Sequence, residues 1–261
     1  MGKVIVITSG KGGVGKTTAV SNIAVALAKN GKKVLIADID IGLRNLDLAM
    51  GISDVIVYDI LDVLEGKCEF EKAVCRFEEY GNLEFLPAAQ STDKEYLYPE
   101  QFKIFFENLK KNYDCILLDC PAGIDNGFKS AIAASDMAIV VVTPEMTSVR
   151  DADKVVTLLD IANVPEVKLL INRVRPELIR KGDMLSIDEI TDIIGVSPIG
   201  IVLEDEIVLK SQKRNTLAVL ESSSSAGSEF SNIAERLEGK NIPVTELKGK
   251  RKGLFSKLFR L

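Results

Sequence analysis

The eight residues Gly10-Lys11-Gly12-Gly13-Val14-Gly15-Lys16-Thr17 restrict the architecture of this chain more than any others, because of what flanks them. An apolar, β-branched run, Val4–Ile7, leads in. Thr18-Ala19-Val20-Ser21-Asn22-Ile23-Ala24-Val25-Ala26-Leu27 leads out with the composition of a helix. A strand, a glycine-rich turn and a helix start make an anion cradle. The first amides of the helix lack partners within it, and the positive end of its dipole faces the same way. Lys16 stands where an ammonium reaches β- and γ-phosphates, and the Thr17 hydroxyl where it ligates Mg²⁺. Candidate phosphate contacts run through Gly10, Lys11, Gly12, Gly13, Val14, Gly15, Lys16, Thr17 and Thr18.

A second reading competes. Gly10, Gly12 and Gly15 also spell G-x-G-x-x-G, and Asp38 or Asp40 follows a second apolar run at about the 20-residue spacing of a dinucleotide site. A dinucleotide loop has no use for a lysine and a threonine directly after its last glycine. The pattern G-x-x-x-x-G-K-[ST] is matched in full, which favours a nucleoside triphosphate. Lys11 is a second lysine within the loop, readable as a solvated charge or as a further cation on the phosphates. The pattern Gly10-Lys11-Gly12-Gly13-x-x-Lys16 resembles the deviant P-loop family that includes the Min, Par and nitrogenase iron proteins. That resemblance implies that Lys11 crosses a dimer interface to the partner's nucleotide.

Apolar β-type runs recur at Val4–Ile7, Val34–Ala37, Leu83–Leu86, Ile116–Leu118, Met137–Val142, Val167–Ile171 and Ile199–Val202. Helical segments at about 16–29, 100–112, 147–162, 186–194 and 227–238 separate them. Near-continuous apolar strands between helices predict an α/β fold with a mostly parallel sheet covered on both faces. At 261 residues and 46% hydrophobic content there is ample material for one large core. No repeat and no long linker divides the body; Ser222–Ser225 reads as a short polar loop. One domain, 1–247, plus a tail, 248–261, is expected.

Other classes are excluded by residues the chain lacks. There is no histidine, so imidazole acid–base chemistry is ruled out. The four cysteines, Cys68, Cys75, Cys115 and Cys120, form no C-x-x-C pair, which disfavours a structural zinc or iron–sulfur site within one chain. No 18-residue apolar run or cleavable leader is present, so a cytoplasmic protein with reduced thiols is expected.

Acidic residues at strand ends complete the candidate site. Asp119 closes Cys115-Ile116-Leu117-Leu118-Asp119, the arrangement that holds Mg²⁺ through water beside a phosphate loop. Asp38 and Asp40 end the second apolar run, and Gly42 follows in a loop able to sense a γ-phosphate. Without histidine a carboxylate must position the attacking water, and Asp40 is the choice.

Longer segments narrow the resemblance. Asp38-Ile39-Asp40-Ile41-Gly42-Leu43-Arg44-Asn45-Leu46-Asp47 and Asp119-Cys120-Pro121-Ala122-Gly123-Ile124 look like the two switch segments of the MinD branch of that family. Ser148-Val149-Arg150-Asp151 and Arg180-Lys181-Gly182-Asp183-Met184-Leu185-Ser186 extend the similarity along the chain. It implies an ATPase with ATP and Mg²⁺ as cofactors, forming a homodimer around two ATP molecules. It also implies recruitment of the division inhibitor MinC, and stimulation by MinE or another topological regulator where one exists. The same similarity assigns Lys16 and Thr17 to phosphate and metal, Asp40 to the attacking water, Asp119 to the metal shell, and Asn172 and Arg173 to adenine. Leu203 stands where relatives usually carry proline, a departure beside the base.

The net charge of −5 hides an asymmetry. Residues 248–261 carry six of the basic side chains and no acidic one, so residues 1–247 carry −11. An acidic body leaves no surplus of lysine and arginine for general nucleic-acid binding. On a helical wheel Leu254, Phe255, Leu258, Phe259 and Leu261 fall within about 160°, opposite Ser256, Lys257 and Arg260. Composition leaves this tail as a frayed basic end, a helix docked on the body, or an interfacial anchor. The resemblance implies the anchor, on the inner face of the cell membrane. A DNA-segregating relative of the Par type and an electron-transfer iron protein share the loop and remain the competing classes.

Overall fold

Strand β1 (Lys3–Thr8) turns Val4 and Val6 to one side and Ile5 and Ile7 to the other, and all four are buried. A strand with no polar face can only lie inside a sheet covered twice. The computed structural model, which describes residues 2–41, 45–52, 56–89, 98–245 and 247, places it there. β1 pairs in parallel with β5 (Cys115–Asp119) and with β6 (Met137–Val142). β2 (Val34–Asp38) lies beyond β5, followed by β4 (Leu83–Leu86). On the other flank β6 pairs with β7 (Val167–Val174), and β7 with β8 (Pro198–Leu203). The short β3 (Cys75–Phe77) closes the left edge as the antiparallel member, giving the order β3-β4-β2-β5-β1-β6-β7-β8. The mostly parallel α/β sheet expected from the run pattern is present.

Two layers of core follow from the alternation. One holds Val4, Val6, Ala138, Val140 and Val142, roofed by side chains of α5 (Pro99–Leu109), α6 (Asn126–Ala133), α7 (Met146–Ile161) and α9 (Ile187–Ile194). The other holds Ile5, Ile7, Met137, Ile139 and Val141 beneath α1 (Lys16–Lys29) and α11 (Ser225–Leu237). Smaller helices, α2 (Leu46–Met50), α3 (Ile60–Leu64), α4 (Phe70–Ala73), α8 (Pro176–Lys181) and α10 (Glu206–Lys213), occupy connections that periodicity did not resolve. Most are a turn or two long, too short for a 3.6-residue pattern to emerge. Ser222–Ser225, read as a loop, includes the start of α11: the Ser224 hydroxyl accepts the amide of Gly227 as the N-cap.

The free edge of β8 is closed by side chains. Arg236 donates to Ile199 O at 2.8 Å and to Glu229 Oε1 at 2.7 Å, and that carboxylate accepts the Ile201 amide. The same guanidinium donates to the carbonyls of Ile242 and Pro243, and Val244 and Leu247 pack on the first core layer. Body chain is thus pinned up to Leu247. Residues 248–261, with the apolar stripe of Leu254, Phe255, Leu258 and Phe259 and the basic Lys257 and Arg260, lie outside the described residues, as do Gly42, Leu43 and Arg44.

Candidate functional site

Four parallel strands end at one edge of the sheet, and each delivers a polar group there. β1 runs into the glycine loop, while β2 and β5 end in Asp38 and Asp119, which face each other in register. β7 brings Asn172 and Arg173. This is the carboxyl edge at which open α/β sheets hold ligands.

The loop has the backbone that its glycines predict. Gly13 and Gly15 adopt positive φ, 76° and 101°. A side chain at Gly10 would drive its Cβ to 2.3 Å from the carbonyl of Asp151, the backbone of α7. At Gly12 it would meet only open space. Gly15 is the N-cap of α1 and supplies no side-chain acceptor, and no acidic residue sits in the first turn. The leading amides and the dipole of α1 are therefore left to an anion.

Asn172 gives the loop its rigidity. Its buried amide donates to the Val14 carbonyl at 2.8 Å, and a Cβ on Gly15 would lie 2.4 Å from the same nitrogen. The adenine contact assigned to Asn172 is thus narrowed: one of its two amide hydrogens is spent on the loop, which leaves the other hydrogen and the carbonyl oxygen. Arg173 beside it is exposed and takes φ 55°, where β7 departs from regular register. Gly15→Ala is expected to destabilise the nucleotide-free protein by about 1–2 kcal/mol from the positive φ alone. A thermal melt reads this loss, and adding Asn172→Ala removes the clash without restoring stability.

Thr17 and Asp119, far apart in sequence, meet at the start of α1. The Thr17 hydroxyl donates to Asp119 Oδ2 at 2.7 Å, while the buried Oδ1 has no partner among the described residues. Burial lifts the Asp119 carboxyl to about 6, against the pull of the Thr17 hydrogen bond and the Lys16 charge, with Asp40 adding to the rise. Asp38, fully buried, is pushed upward first by burial and then by Asp119. No group of three or more His, Cys, Asp or Glu side chains among the described residues is arranged to hold an ion unaided. A divalent cation here would be completed by phosphate oxygens and water, the usual coordination of Mg²⁺.

Sequence reasoning chose Asp40 over Asp38 for the attacking water and left Asp38 without a task of its own. Asp38 accepts the amides of Asp40 at 2.8 Å and of Leu46 at 3.3 Å, so it clamps both ends of the loop after β2. Asp40 is half-buried, and its charge adds to the rise of both Asp38 and Asp119, so the three carboxyls lie near one another. Lys11 pairs with Glu145 of its own chain at 3.2 Å. Both groups are exposed, and such a pair is worth about 0–1 kcal/mol, so release of Lys11 costs little.

Asp205, beside the departure at Leu203, is engaged elsewhere. Its Oδ1 caps α10 through the Ile207 amide, and its Oδ2 accepts from Ser224, Ser225 and the Ala226 amide at the start of α11. Burial is the largest single influence and pushes its carboxyl up, but these bonds together outweigh it and hold the carboxyl below the usual range. Its neighbour Glu204 is ion-paired with Arg175. The two acidic side chains after Leu203 therefore serve the scaffold. Ser148 is likewise structural, accepting the Thr143 amide at 3.1 Å to close the β6–α7 turn.

Comparison with known proteins adds the remaining evidence. The family described as "AAA domain" matches residues 2–169. A septum site-determining protein MinD of Synechocystis is 44% identical over 261 residues, spanning 100% of this chain and 98% of the relative. Among solved structures, that of the MinC:MinD cell division protein complex from Aquifex aeolicus is 44% identical with a TM-score of 0.87, covering 94% of this chain and 98% of that one. The septum site-determining protein MinD of Pyrococcus horikoshii, complexed with Mg-ADP, is 31% identical with a TM-score of 0.81, covering 91% and 96%.

Proposed function

This chain belongs to the MinD family of septum site-determining proteins, and from that premise we propose that it is an ATP-driven switch which places the division site through the membrane. ATP with Mg²⁺ occupies the cradle of Gly10 to Thr18. Lys16 would meet the β- and γ-phosphates, and Thr17 and the unpartnered oxygen of Asp119 would hold the metal, directly and through water. That oxygen, buried beside an uncapped helix start, is the observation that carries the nucleotide reading. Mg²⁺ supplies charge neutralisation between the phosphates. Asp40 positions the attacking water, and Asn172 and Arg173 flank the adenine.

Two subunits close on two nucleotides, with Lys11 leaving Glu145 for the partner's phosphates. The paired surface recruits the inhibitor MinC, and MinE or another topological regulator sets the lifetime of the state. The solved MinC:MinD complex supports the first of these partners. Among the described residues no helix is long and apolar enough to cross a membrane, so attachment falls to the basic tail as a peripheral anchor. Each basic residue near an anionic surface contributes about 1 kcal/mol. One tail binds weakly, and the two tails of a dimer gain an effective-concentration factor of about 10²–10⁴. A Par-type role would need a basic face for DNA, and the body is acidic. Sedimentation with anionic and neutral liposomes, in ATP, ADP and no nucleotide, tests the whole reading; binding independent of nucleotide would overturn it.

Asp40→Ala is expected to bind ATP and dimerise normally while turnover falls by about 10²-fold or more, since water positioning is lost and phosphate contacts are kept. The variant should accumulate on liposomes as a trapped dimer. Turnover equal to that of the parent would assign the water to another group.

The raised Asp119 carboxyl predicts a pH dependence. Its pKa is about 6 when folded and about 4 when unfolded. Across that window the folded protein keeps a proton that the unfolded chain has lost, so the Asp119 contribution to the stability of the nucleotide-free protein falls as pH rises and is gone above about 6. Metal binding needs the ionised form, so Mg-nucleotide affinity rises over the same window. Calorimetry against pH should show that rise, and Asp119→Asn should flatten it.

A further inference from the structure

α10 reaches the cradle from the far end of the sequence. After β8 the chain turns at the Asp205 cap, and α10 buries Ser211 against the body. The following turn is held on α1: the Val219 amide donates to Asn22 Oδ1 at 2.9 Å, and Asn22 Nδ2 donates to the Thr18 carbonyl at 2.8 Å. Between these fixed points the Gln212 amide donates to the Thr18 hydroxyl oxygen at 3.2 Å. Thr18 is the third residue of α1, directly after Thr17, on the uncapped first turn that the nucleotide reading gives to the phosphates.

A hydroxyl has one proton and two lone pairs. Gln212 occupies a lone pair, so the Thr18 proton is free to be donated elsewhere. In a helix that proton commonly goes back to the carbonyl four residues earlier, which here is that of Val14. That carbonyl has a lone pair left beside the Asn172 amide, yet among the described residues the Thr18 hydroxyl donates neither to it nor to any other group. Its proton is therefore available to a ligand in the cradle.

We infer that Gln212 is a positioning residue for the nucleotide: its amide fixes the Thr18 hydroxyl as a donor to a phosphate oxygen near the ribose, the α-phosphate class rather than the γ. This rests on the phosphate-loop reading and adds to it a residue with no place in the loop motif. Because ATP and ADP share that phosphate, the contact contributes equally to both. It sets affinity and does not sense hydrolysis.

Gln212→Ala is expected to weaken Mg-ATP and Mg-ADP alike, about 3- to 10-fold in calorimetry, the scale of one oriented hydrogen bond. KM for ATP should rise by a similar factor, with a much smaller change in kcat. The nucleotide-free melting temperature should stay put, because Gln212 is exposed. Gln212→Glu should lose more than Gln212→Ala, since a carboxylate takes the Thr18 proton for itself and repels phosphate. Thr18→Val should abolish the sensitivity, so that adding Gln212→Ala to it changes nothing further. Additive losses in the double variant, a selective loss of ATP over ADP, or unchanged affinity in Gln212→Ala would each overturn the assignment. Lys16→Ala in the same assay separates the two levels. If it abolishes binding while Gln212→Ala is silent, the Gln212 assignment alone fails; if it too binds normally, the phosphate-loop reading fails and takes this inference with it.

Discussion

Lys16→Ala is expected to lose measurable binding of both ATP and ADP. Lys16 is the first residue of α1, so its ammonium is carried on the turn whose amides and dipole are left for an anion. Its charge reaches the site: it pulls the buried Asp119 and Cys120 groups downward against strong desolvation. Each charge-assisted hydrogen bond contributes about 1.5–3 kcal/mol, and a lysine bridging two phosphates makes more than one, so a loss of at least about 10²-fold follows. The fold should survive, since the side chain is only half-buried and the substitution favours helix. Calorimetry with Mg²⁺ present measures the effect directly. ATP affinity equal to the parent's would remove the nucleotide from this loop, and with it the proposed switch.

Truncation after Lys248 is expected to leave ATP-dependent dimerisation intact and to remove liposome binding. The body keeps its fastening, because the Arg236 guanidinium holds Ile242 and Pro243 and Leu247 packs on the core, all upstream of the cut. What is lost is the apolar stripe and five of the six basic side chains of the tail. Phe255→Glu should act nearly as strongly, since a carboxylate in the apolar arc either loses hydration or tilts the helix out of the interface. Raising salt should weaken binding of the intact protein without abolishing it, because screening removes only the electrostatic share. Membrane binding that persists in the truncated protein would return the tail to a frayed basic end.

The strands were legible because burial on both faces leaves runs such as Met137–Val142 with no polar position, and α1 because the glycine loop marks its first residue. The antiparallel β3 was not legible. Three residues, Cys75-Arg76-Phe77, include an exposed arginine, and their pairing is set by β4 rather than by any pattern of their own. α10 carries Glu206, Lys210 and Lys213 on a largely exposed surface, so no apolar stripe announced it.

The sequence by itself determined the chemistry of the loop. Backbone amides, a lysine and a threonine at fixed spacing act within one strand–turn–helix unit, and local geometry is all they need. It also determined that acidic strand ends would face that loop, since parallel strands deliver their carboxyl ends to one edge. Only the tertiary structure decided how those groups share their work. Asn172 stiffens the loop from 158 positions away, Asp38 clamps the loop that presents Asp40, Asp205 is claimed by two helix starts, and Gln212 reaches Thr18 across 194 positions. A side chain's hydrogen-bonding capacity is fixed by its type, but its partner is fixed by which elements the sheet order sets side by side, and that order is a property of the packed whole.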